Sequence, residues 1–376
     1  MSNPYRIGID ARFYRAETGG LGRYTRELIF ALATRDHTNQ YYIFITPQDE
    51  SEWSVTQANF HPVTVPIGHY SLSEQTSLIK VFNSYNLDLI HFLNFNHPLL
   101  YSRPFVTTLH DLTLYFFPAG KSTVSPLRRS LFRYVFRHSL QAAQKVIAIS
   151  EYTKSDAHKH LGIPLSKMVV IPEGGPEPRK LGSNTLSEVQ KYLGTTEPYF
   201  LFVSQWRPHK GIITLIEAFN AFKSVTKLPH KLVLLGNQKV VSPEVLKAVT
   251  TSSHHTDIIA PGFAPDNLLP ALYHHAVASV IPSEYEGFGL PVLEAFTYGA
   301  PVIVAKNSSL PEVAGQAALY FPTKNALALA KQLEQLASDQ KLAEHLRQLG
   351  HAQLKHFSWT KTAEQTHAVY MDILGH

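Results

Sequence analysis

The chain has 376 residues, 44% of them hydrophobic, 11% aromatic and only 17% charged, which excludes disorder, collagen and coiled coil as global descriptions and, beyond about 250–300 residues, makes two domains the expectation. It contains no cysteine, so a disulfide scaffold, a thiolate zinc site and a cysteine nucleophile are excluded. Lysine and arginine number 34 against 29 acidic residues, a formal charge of +5 that suits an anionic partner, whether nucleotide, phospholipid surface or nucleic acid.

The first residues, Met1-Ser-Asn-Pro4, enter a strand pattern with no charged segment followed by an apolar one. A secretory signal is therefore not expected, and the protein is read as cytoplasmic. No run of about 18 apolar residues occurs, so no helix is expected to span a bilayer. Tyr5–Asp10 reads as a buried strand, Leu21–Ala33 as a helix and Tyr41–Ile45 as a strand. Leu87–Phe92, Phe105–Leu109, Val146–Ser150 and Met168–Pro172 continue the strand series. Such alternation predicts parallel βαβ units covered on both faces. From Glu173 the composition shifts to glycine, proline and polar residues, which marks a linker. The alternation then restarts with strands at Tyr199–Val203, Lys231–Leu235, Val277–Pro282 and Pro301–Ala305, and helices at Ile212–Phe222 and Leu290–Tyr298. Three helical patterns fill the last fifty residues. The simplest architecture is α/β, with two doubly wound, Rossmann-like halves and a ligand cleft between them at the carboxyl ends of the strands.

The segment Pro282-Ser-Glu-Tyr-Glu-Gly-Phe-Gly-Leu-Pro-Val-Leu-Glu294 leaves a strand, crosses a glycine turn and starts a helix near Gly289. A helix start offers unpaired N–H groups and a positive dipole end, which together suit a phosphate. Glu286 precedes that helix and Glu294 lies within it. At 1.5 Å per residue the span from Gly289 to Glu294 is about 7–8 Å, so the two carboxylates could hold hydroxyls at opposite ends of one elongated ligand.

At these residues the chain resembles the retaining GT-B glycosyltransferases of family 4 (glycosyl transferases group 1), and its mannosyltransferases in particular. Glu286 through Glu294 matches the family's Glu-x7-Glu signature. Ile7-Gly-Ile-Asp-Ala-Arg12, Thr18-Gly-Gly-Leu-Gly22, Thr108-Leu-His-Asp-Leu112, Ala148-Ile-Ser-Glu-Tyr-Thr-Lys154 and Ser308-Ser-Leu-Pro-Glu-Val-Ala-Gly315 match further family segments. The resemblance spans nearly the whole chain. It implies a GT-B fold, two Rossmann-like domains facing a central cleft. The amino-terminal, acceptor-binding domain is placed at 1–176, a linker at 177–185 and the nucleotide-sugar-binding domain at 186–357. A final helix within 358–376 crosses back to the first domain.

Site roles follow from the same resemblance. Glu286 matches the glutamate on the donor-sugar hydroxyls, and Glu294 the one on the nucleotide ribose. The backbone of Gly287, Phe288, Gly289 and Leu290 is expected at phosphate and sugar. Lys210 matches the lysine that neutralises the donor diphosphate, and Gly19 and Gly20 the glycine loop that approaches it. His110 matches the histidine beside the reacting sugar, where a neutral ring could hydrogen-bond it, and Asp111 either orients that ring or caps the following turn. Where many members carry a Gly-Arg pattern this chain reads Ser204-Gln-Trp-Arg207, which leaves Arg207 as the candidate replacement.

The chemistry asks for prearranged positive charge around a departing diphosphate. No Asp-x-Asp motif is present to bring a cation, so no metal and no cofactor are expected beyond the nucleotide-sugar substrate. GDP-mannose is the first choice of donor, ahead of UDP-glucose and UDP-N-acetylglucosamine, and the expected acceptor is a glycan, lipid-linked at the inner face of a membrane. The histidine pairs His158 and His160, His254 and His255, and His274 and His275 lack the spacing of a zinc site. Gly20-Leu-Gly22 meets Thr25 where a dinucleotide fingerprint needs its third glycine, which argues against a dehydrogenase. The stretch 121–145 carries Lys121, Arg128, Arg129, Arg133, Arg137 and Lys145 and no acidic residue. It reads as a helix whose apolar face, with Leu127, Leu131, Tyr134, Val135 and Leu140, packs on the first sheet. Its arginines are a candidate contact for an anionic membrane surface; nucleic acid is not expected, because stacking aromatics are not interleaved with them. Two rival readings keep the architecture: a nucleotide-sugar epimerase and a non-catalytic nucleotide-sugar-binding subunit.

Overall fold

The computed structural model describes residues 3–15, 18–69, 71–117, 126–183, 185–236 and 242–375, without the side chains of Leu127 and Arg128. Lys121 therefore lies outside the described residues. The chain divides into two compact units, one formed by Met1–Gly174 with Phe357–His376, the other by Gly175–His356.

Among the described residues, unit 1 holds a parallel sheet of seven strands: β1 (Arg6–Asp10), β2 (Gln40–Ile45), β3 (Phe60–Thr64), β4 (Leu89–Phe92), β5 (Phe105–Leu109), β6 (Lys145–Ala148) and β7 (Met168–Val170). Their order is β3-β2-β1-β4-β5-β6-β7. Unit 2 holds six: β8 (Tyr199–Val203), β9 (Lys231–Leu235), β10 (Ile258–Gly262), β11 (Ala278–Ile281), β12 (Val302–Ala305) and β13 (Ala318–Phe321), ordered β10-β9-β8-β11-β12-β13. Strands β4, β5, β11 and β12 are buried at every residue. That is why they read as mainly apolar runs, interrupted only by His91, Thr107, Thr108 and Ser279, rather than as alternating ones: helices cover both faces of a parallel sheet.

The helices of unit 1 are α1 (Gly20–Arg35), α2 (Leu72–Ser84), α3 (Thr113–Phe116), α4 (Pro126–Ala142) and α5 (Glu151–Leu161). Those of unit 2 are α6 (Thr185–Leu193), α7 (Ile212–Thr226), α8 (Pro243–Thr250), α9 (Leu269–His274), α10 (Leu290–Thr297), α11 (Leu310–Ala314), α12 (Ala326–Ser338) and α13 (Gln340–Leu354). The last helix, α14 (Trp359–Leu374), belongs to unit 1, where it packs along α1. Trp359 sets its ring 5.8 Å from that of Tyr24, and the Tyr5 hydroxyl donates to the Leu374 carbonyl at 3.0 Å. Gly174 makes this seat possible: a Cβ there would lie 2.5 Å from the Trp359 nitrogen.

In each sheet the strand order reverses once, between β1 and β4 in unit 1 and between β8 and β11 in unit 2. Loops that leave neighbouring strands in opposite directions open a crevice at such a switch point, and ligands of doubly wound sheets bind there.

The packed face of α4 agrees with the expected one at Leu140 and departs from it at Leu131 and Tyr134. Phe136 and Leu140 are buried, with Phe132 and Phe136 set 5.5 and 4.3 Å from Phe95, whereas Leu131 and Tyr134 are exposed. The inward stripe is carried by aromatic residues one position away from those that the apolar spacing suggested. The outward face instead combines Leu131 and Tyr134 with Arg129, Arg133 and Arg137, all exposed. Glu173 and Gly174 also depart from the linker reading: both are buried in unit 1.

Candidate active site

Gly19, Gly20 and His110 lie in unit 1; Arg207, Lys210, Glu286, Gly287, Phe288, Gly289, Leu290 and Glu294 lie in unit 2. In unit 2 the loops after β8 and β11, the two strands at the switch point, supply nearly the whole set.

After β8 the chain runs through Arg207 into a single 3-10 turn, Pro208–Lys210, which ends at Gly211 with φ +71° before α7 begins. A Cβ on Gly211 would stand 2.0 Å from the Pro282 carbonyl oxygen, so only glycine lets the two loops close on each other. A second tie is the Glu284 N–H, which donates to the His209 carbonyl at 2.7 Å. This closure brings Lys210 and Glu286 together. The Lys210 ammonium donates to both carboxylate oxygens, at 2.8 and 2.9 Å, and the Ser283 hydroxyl donates to Oε1 at 2.7 Å. Burial, reinforced by the Lys210 charge, pushes His209 down to about 4, so it is a neutral neighbour at physiological pH.

The Glu286 loop is clamped from behind. Its N–H donates to Ser308 Oγ at 3.1 Å, and Ser309 Oγ reaches the carbonyls of Glu286 and Phe288 at 3.0 and 2.6 Å. Ser308 adopts φ +47° to do this, a conformation that costs a non-glycine residue about 1 kcal/mol or more and concentrates at functional sites. Gly289, at φ +119°, then starts α10, with Pro291 in its first turn. Its Cβ would crowd Leu310 at 3.1 Å. Glu294 sits one turn further, where the buried Tyr273 hydroxyl donates to its Oε2 at 2.9 Å. Arg207 stands immediately before the turn, half-buried, and its charge adds to the depression of His209.

In unit 1, Gly19 (φ +68°) follows Thr18, whose Oγ1 donates to the Phe13 and Arg15 carbonyls at 2.7 and 2.6 Å. Gly20 opens α1, and one turn later the Tyr24 ring stands perpendicular to that of His110, with centroids 4.6 Å apart. His110 has both nitrogens engaged: Nε2 donates to the Leu93 carbonyl at 2.9 Å, and Nδ1 faces Glu173 Oε1 at 3.2 Å. A ring nitrogen offered to a sugar is therefore not what the ligand-free site presents. Asp111 caps the following turn, accepting from the Thr113 N–H at 2.7 Å. Behind His110 a buried chain of hydrogen bonds runs from Tyr370 on α14 through His91 and Thr108 to the Tyr24 hydroxyl, at 2.6, 2.8 and 3.1 Å. Burial holds His91 down at about 3, so it enters this chain neutral.

Sequence reasoning missed Glu173, Ser283, Ser308, Ser309 and Tyr273. Glu173 was concealed by its glycine- and proline-rich neighbours, and the serines carry no signal of their own. Among the described residues no three His, Asp or Glu side chains form a group able to hold a metal ion. Members of the histidine pairs bind nearby protein groups instead: His158 the Ile163 carbonyl, His274 the Tyr298 carbonyl and His275 the Thr185 hydroxyl.

The model of glycosyl transferases group 1 matches residues 186–353, and that of Glycosyltransferase Family 4 matches residues 18–174. The chain belongs to the family 4, group 1 glycosyltransferases. This glycosyltransferase is 29% identical to O-antigen chain mannosyltransferase B of Escherichia coli, over 93% of its own length and 95% of the relative's. Its fold is GT-B. It is similar to a sucrose-phosphate synthase from Thermosynechococcus elongatus (TM-score 0.78, 20% identity, 100% of both chains). It is also similar to Anabaena HepE, solved with UDP and glucose (TM-score 0.75, 18% identity, 98% of this chain and 100% of that one).

Proposed function

We propose that this glycosyltransferase moves mannose from GDP-mannose to a glycan acceptor, with retention at the anomeric carbon and without a metal ion. The observation that carries the reading is the Lys210–Glu286 pair at the unit 2 switch point, flanked by the helix start at Gly289. A carboxylate suits sugar hydroxyls, while an ammonium and a helix amino end suit a diphosphate. Mannose is favoured by the E. coli relative, named a mannosyltransferase. A bound nucleotide-sugar is favoured by the HepE structure with UDP-glucose.

In the reaction the bond from C1 to the diphosphate oxygen breaks and the acceptor oxygen bonds C1 on the same face. The acceptor's proton passes to the departing phosphate. Negative charge grows on that phosphate, and Lys210, Arg207 and the starts of α7 and α10 stabilise it without a metal ion. On the exposed face of α4, Arg129, Arg133 and Arg137 repeat every fourth residue beside Leu131 and Tyr134. This mixture of basic and apolar groups suits an anionic lipid surface at the inner face of a membrane. No helix of the described residues is long and apolar enough to cross one.

The test is a panel of nucleotide-sugars assayed by thermal shift and by hexose transfer. GDP-mannose should stabilise the protein by mass action and support turnover. Lys210→Ala should lower kcat/KM by about 10²–10³-fold, the scale of removing one preorganised charge contact. Near-normal turnover in that variant would contradict the assignment. For α4, replacing Arg129, Arg133 and Arg137 by glutamine should abolish co-sedimentation with vesicles rich in anionic lipid; undiminished binding would count against the membrane contact.

A further inference from the structure

We infer that Glu286 also sets the site's preference for a nucleotide-sugar over a bare nucleoside diphosphate, and so promotes release of the spent nucleotide. The inference rests on the reading that Lys210 lies against the donor diphosphate.

In the ligand-free protein the Lys210 ammonium is already compensated. It donates to both Glu286 oxygens at 2.8 and 2.9 Å, with only 17% of the lysine side chain and 11% of the glutamate's exposed. At Lys210 a diphosphate therefore does not meet a free ammonium; it must draw that group away from a carboxylate that is itself largely buried. A carboxylate left there without its partner is costly. Ser283 keeps one oxygen bonded, at 2.7 Å, which holds the group in place but does not neutralise it. His209 adds no positive charge, since burial pushes it down to about 4.

Donor and product differ in how they meet this cost. A nucleotide-sugar brings hydroxyls that donate to Glu286 as Lys210 turns toward the diphosphate, so every charged group stays paired. A nucleoside diphosphate brings no hydroxyl to that oxygen pair. Its terminal phosphate also ionises once more than the diester of the donor, which places extra negative charge near a carboxylate. Both effects weaken the product relative to the donor, and both vanish when the carboxylate is replaced by an amide of the same shape.

Calorimetric titration tests this with GDP and GDP-mannose as probes, and UDP and UDP-glucose in parallel, against wild type, Glu286→Gln, Glu286→Ala and Lys210→Ala. The expected result is about tenfold tighter GDP binding in the two Glu286 variants. GDP-mannose should gain nothing or weaken, and Lys210→Ala should weaken every probe that binds wild type. Unchanged or weaker GDP and UDP binding in the Glu286 variants, with Lys210→Ala still weakening the same probes, would overturn the inference and leave the site reading intact. Failure of all four probes to bind wild type, or indifference of every one that binds to Lys210→Ala, would overturn the site reading and the inference with it. Should neither Glu286 variant fold, wild type decides: an excess of free mannose, glucose or N-acetylglucosamine should tighten GDP binding by satisfying Glu286, and no coupling with any of the three would refute the inference.

Discussion

Ser308 is held at φ +47° while its hydroxyl accepts from the Glu286 N–H, so strain and clamp are joined in one residue and separable by substitution. Ser308→Gly should leave thermal stability unchanged or slightly higher, because relief of about 1 kcal/mol of backbone strain offsets a hydrogen bond worth about 1 kcal/mol. Transfer should nevertheless slow, as the Glu286 loop loses a tether. A variant with equal stability and full activity would show that the clamp has no bearing on the reaction. Glu173 holds His110 together with the Leu93 carbonyl. It is 3% exposed, bonds Nδ1 through Oε1 and leaves Oε2 buried without a hydrogen bond among the described residues. Glu173→Gln should lower kcat more than it raises KM, since the ring would be reoriented rather than the donor contacts removed; a pure KM effect would argue against that role. Glu286 and Gly289 were legible in the strand, glycine-turn and helix-start pattern, and Lys210 only through the family resemblance. Glu173 and the serines act through burial and loop closure, which a single sequence does not display.

Elements at the centre of each sheet were legible for a similar reason. β5, β8 and β9 coincide with their expected ranges, because strands covered on both faces are built mainly of apolar and β-branched residues. β3, β10 and β13 went unread, and all three are edge strands. Pro62 lies in β3 and Pro261 in β10, and β10 carries a register shift between Ile259 and Gly262. Proline and irregular pairing are tolerated only where a strand has one neighbour, so in β3 and β10 the features that mark an edge also erase the strand signal, whereas the edge strand β7, with no proline between Met168 and Val170, was legible. The junction between the β8 and β11 loops yields a prediction at this scale. Gly211→Ala would force a Cβ to within 2.0 Å of the Pro282 carbonyl oxygen at φ +71°. It should separate the two loops, lower unit 2 stability by about 2 kcal/mol or more and weaken donor binding with it. Unaltered melting and donor affinity would show that the loops do not depend on that contact.

At the scale of the molecule, four buried histidines among the described residues contribute to the response to acid, and burial shifts His69 and His275 in the same direction. Burial is the leading cause in each case, holding His91 and His97 of unit 1 at about 3 and His209 and His230 of unit 2 at about 4. In the unfolded chain they titrate near 6.5. Between about pH 6.5 and 4 the unfolded state binds protons that the native state refuses, so stability rises with pH across that window and is lost as pH falls through it. Each histidine contributes a slope of at most about 1.4 kcal/mol per pH unit, and each unit holds two of the four. Denaturant unfolding followed across this range should show both units weakening toward acid, and a flat profile would mean that these rings are not held neutral.

All of the proposed chemistry depends on one placement, and a crystal structure of the protein soaked with GDP-mannose or UDP-glucose tests it most directly. The account predicts the diphosphate within hydrogen-bond reach of the Lys210 ammonium and the start of α10, with sugar hydroxyls on Glu286 and ribose hydroxyls on Glu294. A nucleotide-sugar bound with its diphosphate away from Lys210 and its sugar away from Glu286 would contradict it.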